Sequence, residues 1–170
     1  MVKMRETSVT DCSAIAAIHV QSWQRAYKGI LTDQYLDHEV ASDRLQVWTE
    51  RFAKPSGNQV ILCLECADEI VGFVCAYFSQ DRRFGTFIDN LHVSHAVKRR
   101  GYGVQMVNRI ADLSRSKFDE SRMYLWVLAD NKPAISFYER IGGKRHEAQL
   151  WASPDGGEYL KYRYVWGRKR

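Results

Sequence analysis

Three strand-length runs, Gln59 to Cys66, Ile70 to Phe78 and Thr86 to Val93, follow one another in this chain with only short connections between them. They are rich in β-branched, aromatic and other apolar residues, and Ala67-Asp68-Glu69 makes a short turn between the first two. Such a series predicts a meander of antiparallel strands. The hydrophobic period then changes. A basic loop, Ser94 to Arg100, leads through Gly101-Tyr102-Gly103 into a segment with Val104, Val107, Ile110, Ala111 and Ser114 at helical spacing. A sheet edge running into a glycine-rich helix entrance excludes purely helical and purely β architectures.

The flanking segments complete the pattern. Val2 to Thr7 reads as a first strand, and Thr10 or Asp11 caps a helix with Ile15, Ile18, Ser22 and Ala26 on its apolar side, ended near Gly29. Leu45, Trp48 and Phe52 mark a second helix that stops at Lys54-Pro55-Ser56-Gly57. Beyond the glycine loop come a buried strand from Ser121 to Leu128 and a helix from Pro133 to Ile141, stopped by Gly142-Gly143. A hairpin of Lys144 to Ala152 and Glu158 to Trp166 turns at Ser153-Pro154-Asp155-Gly156-Gly157. The fold class expected is a mixed α/β (α+β) domain, a largely antiparallel sheet flanked by about four helices.

At 170 residues, with no linker, repeat or low-complexity block, residues 1–170 read as a single domain. No apolar run is long enough to span a bilayer, and the opening Met1-Val2-Lys3-Met4-Arg5-Glu6 lacks the apolar stretch of a secretory signal, so a cytoplasmic protein without a membrane partner is expected. Cys63 and Cys66 have the spacing of half a zinc site but sit in a strand pattern that turns them to opposite faces, and the five histidines are scattered. No metal site is expected, and the cysteines are expected to be reduced. A net charge of +5 suits an anionic ligand, and phosphates on a cofactor or on nucleic acid both meet that description.

The glycine loop separates those two. Gly101 and Gly103 permit positive φ and close backbone approach, and the helix after them presents free N–H groups and the positive end of its dipole, which together make a pyrophosphate cradle. No Gly-Lys-Ser/Thr follows, and Met106 stands where a dinucleotide fingerprint has its third glycine. Lys98-Arg99-Arg100-Gly101-Tyr102-Gly103 instead resembles the Arg/Gln-x-x-Gly-x-Gly/Ala signature of the GNAT superfamily of acetyl-CoA-dependent N-acetyltransferases, with Lys98 in place of Arg or Gln. Asn131 to Gly143 is similar to that family's Asn-x-x-Ala-x-x-Phe-Tyr-x-x-x-Gly-Phe block, with Gly143 in place of the final aromatic. His19 to Leu31 looks like the first helix and following loop of a common bacterial branch.

The resemblance implies a GNAT-like sheet whose two central strands splay apart around acetyl-CoA as co-substrate. It places the pantetheine arm on the backbone of Leu91 and Val93, the pyrophosphate on Lys98, Arg99, Arg100, Gly101, Tyr102, Gly103 and Val104, and the cofactor arm beside Asn131. Tyr138 becomes the candidate acid for the departing thiolate, since a phenol keeps its proton at neutral pH. The family's commonest glutamate base aligns with Phe87. Strict alternation along the strand puts Phe87, Asp89, Leu91 and Val93 on one face, which makes Asp89 either a catalytic base or a salt-bridged carboxylate. Trp23, Tyr27 and Tyr35 are candidate walls of the acceptor pocket or core packing. The function expected is acetyl transfer to a primary amine of a small molecule or peptide by direct transfer in a ternary complex. The alternatives are a protein N-terminal or lysine acetyltransferase and a non-catalytic CoA-sensing module. A nucleic-acid binder fits less well, because the aromatics sit in apolar patterns and acids are spread throughout. Exposed sheet edges give a homodimer a physical basis.

Overall fold

The computed structural model describes residues 2–167; the remainder of the basic tail, Arg168-Lys169-Arg170, lies outside the described residues. Its elements are β1 (Val2–Glu6), α1 (Cys12–Ala26), α2 (Val40–Ala53), β2 (Gln59–Cys66), β3 (Glu69–Asp81), β4 (Gly85–Val93), α3 (Tyr102–Phe118), β5 (Met123–Leu128), α4 (Lys132–Arg140), β6 (Lys144–Ala152) and β7 (Glu158–Trp166). The seven strands form one sheet in the order β1-β2-β3-β4-β5-β7-β6. Every pairing is antiparallel except β4 with β5.

The meander follows from its turns. Ala67 and Asp68 both adopt positive φ, the backbone a two-residue hairpin needs to match strand twist. Within β2, Leu62 and Leu64 point to one face while Ile61 and Cys63 point to the other, so each face acquires its own core. The first face packs against α3 and α4 through Met106, Val107 and Ile110, with Ile135, Tyr138 and Ile141 half-buried beside them. The second packs against α1 and α2 through Ile15, Ala16, Ile18 and Trp48. A third cluster, Trp23, Leu31, Tyr35, Leu36 and Val40 with Leu128, joins the α1–α2 connection to the end of β5 and takes in Trp151 and Tyr159 of the terminal hairpin. Just before α2, residues Tyr35–Glu39 make a π-helical turn that buries Tyr35 and Leu36.

Two local expectations are corrected. The inner side of α1 is Ile15, Ala16, Ile18, His19 and Trp23, and Ala26 is exposed, because the wide aromatic Trp23 and the imidazole of His19 take the inward stripe. Alternation in β4 breaks as well. The register against β3 slips between Cys75/Asn90 and Ala76/Ile88, so Asp89 is the extra residue of a β-bulge. Ile88, Leu91 and Val93 therefore face the α3 side, while Phe87 stacks on Tyr77 and the Asp89 carboxylate turns to α2. The single inserted residue reverses the face of everything after it.

Candidate active site

The pairing of β4 with β5 comprises only Thr86↔Met123 and Phe87↔Tyr124. Beyond that point β5 stays with β7 and β4 stays with β3, and the two diverge. From Ile88 to Val93, β4 thus has a hydrogen-bonding partner along one edge and none along the other. Open backbone donors and acceptors inside a sheet are costly unless something pairs with them, which makes the splay a site for an extended, amide-bearing ligand. Leu91 and Val93 lie in this open stretch.

The cradle stands at the far end of the same strand. Arg99 has φ 63° and Gly101 φ 79°, so the loop reverses into α3 through two left-handed residues. A Cβ at Gly101 would meet nothing, so the glycine is there for its backbone angle; a Cβ at Gly103 would come within 3.1 Å of the Phe137 ring, so that glycine lets α3 pack on α4. The first backbone bond inside the helix runs from the N–H of Gln105 to the carbonyl of Gly101 at 3.1 Å, leaving the amides of Tyr102, Gly103 and Val104 without an intrahelical acceptor. Lys98, Arg99 and Arg100 are exposed around them. An open groove of about 280 Å³ adjoins the loop, lined by Ile18, Ser22, Arg25, Val93, Ser94 and Lys98.

Tyr138 enters from α4. Its ring lies among Phe137, Tyr164 and Trp166, at centroid distances of 5.4, 6.4 and 6.0 Å. Burial and, secondarily, the neighbouring Tyr27 phenol push its own phenol well above the usual tyrosine range. Tyr27, at the C-terminal end of α1, is itself pushed up to about 12 by burial, partly offset by the positive charge of Arg44. Asn131 caps α4, its Oδ1 accepting from the N–H of Ala134 at 3.4 Å. Gly143 sits where the resembling motif has an aromatic, and the Trp166 indole fills that place: a Cβ on Gly143 would lie 2.5 Å from it.

On the α2 side of the splay, Asp89 is engaged by Arg51, with Nη2 to Oδ2 at 2.6 Å, and Arg51 also donates to Asn90 Oδ1 at 2.7 Å. The carboxylate thus lies in an ion pair beside the point where β4 and β5 part, the salt-bridged arrangement of the two expected for Asp89. Trp23 is buried, with Tyr27 and Tyr35 at 5.2 and 6.4 Å and Trp151 edge-on at 6.3 Å. Sequence reasoning missed the cations here. Arg44 stacks 4.4 Å above Trp23, Lys161 lies 4.4 Å above Trp126, and Arg163 lies against Phe84, Tyr124 and Trp126. A signal existed for one part: Arg44, Trp48 and Arg51 stand four and three apart, a single stripe of α2. Among the described residues no group of His, Cys, Asp and Glu is arranged to hold a metal ion, and no helix is long and apolar enough to cross a membrane.

Residues 18–143 match the model of the acetyltransferase (GNAT) family. The chain is 26% identical over 148 residues to the uncharacterized N-acetyltransferase YuaI of Bacillus subtilis, covering 85% of this chain and 82% of that protein. It is 24% identical over 166 residues to the L-amino acid N-acetyltransferase AaaT of Escherichia coli, covering 96% of each. Among solved structures, the PaiA N-acetyltransferase of Thermoplasma acidophilum in complex with coenzyme A superposes with a TM-score of 0.77 at 14% identity, over 95% of this chain and 98% of that one.

Proposed function

The chain belongs to the acetyltransferase (GNAT) family and is an N-acetyltransferase, and from that premise we propose that it moves the acetyl group of acetyl-CoA directly onto a primary amine of a small molecule or peptide, with both substrates bound together. The observation that carries this reading is the splay: an open strand edge leads straight to a positive-φ glycine loop and a helix N-terminus, matching in order the amide-rich arm and the pyrophosphate of one ligand. Acetyl-CoA supplies a thioester carbonyl for the amine to attack and a thiolate that must be protonated on leaving.

Each residue then has a task. The open backbone at Leu91 and Val93 fixes the arm by strand-like pairing, and the amides from Arg99 to Val104 hold the pyrophosphate, with Lys98 and Arg100 adding charge around it. Asn131, fixed by its capping bond, presents its free amide NH₂ to the arm. Tyr138 keeps its proton because burial disfavours the phenolate, so it donates to the sulfur at any physiological pH. Asp89, held by Arg51 at the bulge, takes the proton released by the amine. Trp23 and Tyr27 wall the acceptor.

Calorimetry and steady-state kinetics test this together. The protein is expected to bind CoA and acetyl-CoA. Tyr138→Phe is expected to lower kcat about 100-fold while leaving cofactor affinity within a factor of about two. An unchanged kcat would remove Tyr138 as the acid, and a protein that binds neither CoA nor acetyl-CoA would overturn the whole reading.

A further inference from the structure

The open groove beside the glycine loop has walls that the cradle does not use. On the loop side its lining lies between Val93 and Lys98 and takes in none of the residues from Arg99 to Val104, so the groove adjoins the cradle without being part of it. The opposite wall is α1, where Ile18, Ser22 and Arg25 stand four and three apart and form one stripe along the helix. Two cations, Arg25 from α1 and Lys98 from the loop, thus share a space of about 280 Å³, with His95 beside them. No aspartate or glutamate lines it, and neither cation joins an ion pair among the described residues. Ser22, Ser94 and Gln21 line the same space and supply hydroxyl and amide donors.

Like charges facing each other over one cleft repel, and with no carboxylate between them the repulsion stands until an anion enters. Elsewhere the chain answers such charges itself: Arg5, Arg51 and Arg122 each close on a carboxylate within 2.8 Å. A planar guanidinium on one wall, an ammonium on the other and hydroxyls beside each complement a group that offers three acceptor oxygens and about two negative charges. A phosphate monoester is such a group, and a carboxylate is not.

Resting on the acetyl-transfer reading, we infer that this groove is a second phosphate site, in which Arg25 and Lys98 take a phosphate monoester while the cradle amides take a diphosphate. CoA carries both groups, the diphosphate in its chain and the monoester on its ribose, so one molecule is able to fill both sites. A free phosphate is the other source of the same chemistry. With the monoester in place, α1 is a cofactor-binding element, and Lys98 stands at the junction of the two sites.

Calorimetry with CoA and with dephospho-CoA, which lacks only the monoester, tests this on wild type, Arg25→Gln and Arg25→Lys. Arg25 is exposed and unpaired, so its replacement leaves the fold intact. Wild type is expected to bind CoA about 10-fold more tightly than dephospho-CoA, the low end of what a charge-assisted bond contributes. Arg25→Gln is expected to bring CoA down to the affinity of dephospho-CoA while dephospho-CoA itself stays within about two-fold. Arg25→Lys, which keeps the charge and loses the fork, is expected to fall between. Phosphorus NMR of inorganic phosphate reads the groove without the cofactor's monoester: line broadening by wild type loaded with dephospho-CoA, absent with Arg25→Gln and absent once CoA is bound. Broadening that persists with CoA-loaded wild type and vanishes in Arg25→Gln assigns the same site to a free phosphate. Equal affinities for the two cofactor forms with no broadening overturn the inference, as does an Arg25→Gln variant that weakens both forms alike. A wild type that binds neither form overturns acetyl transfer itself, and broadening by the unloaded protein then decides the groove on its own.

Discussion

Gly143 shows how much one position decides. With no side chain of its own, it admits the Trp166 indole, which donates Nε1–H to the Ile141 carbonyl at 3.2 Å and closes over the Tyr138 ring. A methyl group there would lie 2.5 Å from the indole and 2.8 Å from the Tyr138 carbonyl, and the backbone contact cannot swing away. Gly143→Ala is therefore expected to destabilise the protein by about 1–3 kcal/mol, the usual cost of overpacking, read as a lower urea midpoint with unchanged slope. A midpoint equal to wild type would mean that the indole moves freely. The glycine was legible in the sequence, but its partner was not, because Trp166 lies 23 positions away in a strand whose own pattern explains its burial. The face of Leu91 and Val93 was misread for a different reason. Side-chain alternation assumes one residue per ladder step, and nothing in the run from Thr86 to Val93 marks where the extra residue sits. The left-handed turn at Gly101 was readable because it depends on a property of the residue itself; Gly103 takes no left-handed angle, and its reason, the Phe137 ring of α4, was not readable because it lies in another element.

Among elements, the contact of α1 with β4 carries a pH dependence. His19 of α1 is fully buried and accepts from Trp48 Nε1 at 2.9 Å, and His92 of β4 packs on it at a centroid distance of 4.6 Å. Burial, then Lys98 and Arg44, push His92 down to about 3, and burial, then His92, Arg44 and Arg51, push His19 well below the ordinary histidine range. The unfolded chain takes up these protons near pH 6.5, whereas the folded chain refuses them, so the unfolded state binds more protons throughout the interval below that value. Stability is thus fully present above about pH 6.5 and declines as pH falls toward 3. Urea midpoints at pH 7.0, 6.0 and 5.0 are expected to fall in that order in wild type and to fall less steeply in His92→Gln. Equal slopes would show that His92 accepts its proton inside the fold. The helices and strands meeting here were legible in outline. The inward stripe of α1 was not, because polar histidine and large tryptophan displaced the small residues that periodicity favoured.

For the molecule as a whole, the meander and terminal hairpin were legible because alternation and turn residues are local, and the bounds of β2, β6 and β7 match the sequence reading. The parallel contact of β4 with β5 joins segments separated by a helix, and only the family resemblance, not any local pattern, pointed to its splay. That splay leaves a seam running into the middle of a seven-stranded sheet, held at one end by two residue pairs. Whatever zips it shut acts as a temporary strand, so the melting temperature becomes a gauge of occupancy, rising by the equivalent of about 2.7 kcal/mol when the zipping molecule is at 100 times its Kd. CoA and acetyl-CoA, which share the arm and pyrophosphate, are expected to raise the melting temperature alike and to slow amide hydrogen exchange from Ile88 to Val93, and exchange there that ignores both would show the seam closed by the chain alone. The spent co-substrate then protects the fold as well as the fresh one does. Turnover leaves the protein no less durable than waiting, and only a shortage of both forms together exposes it to unfolding and to proteases that attack opened chains.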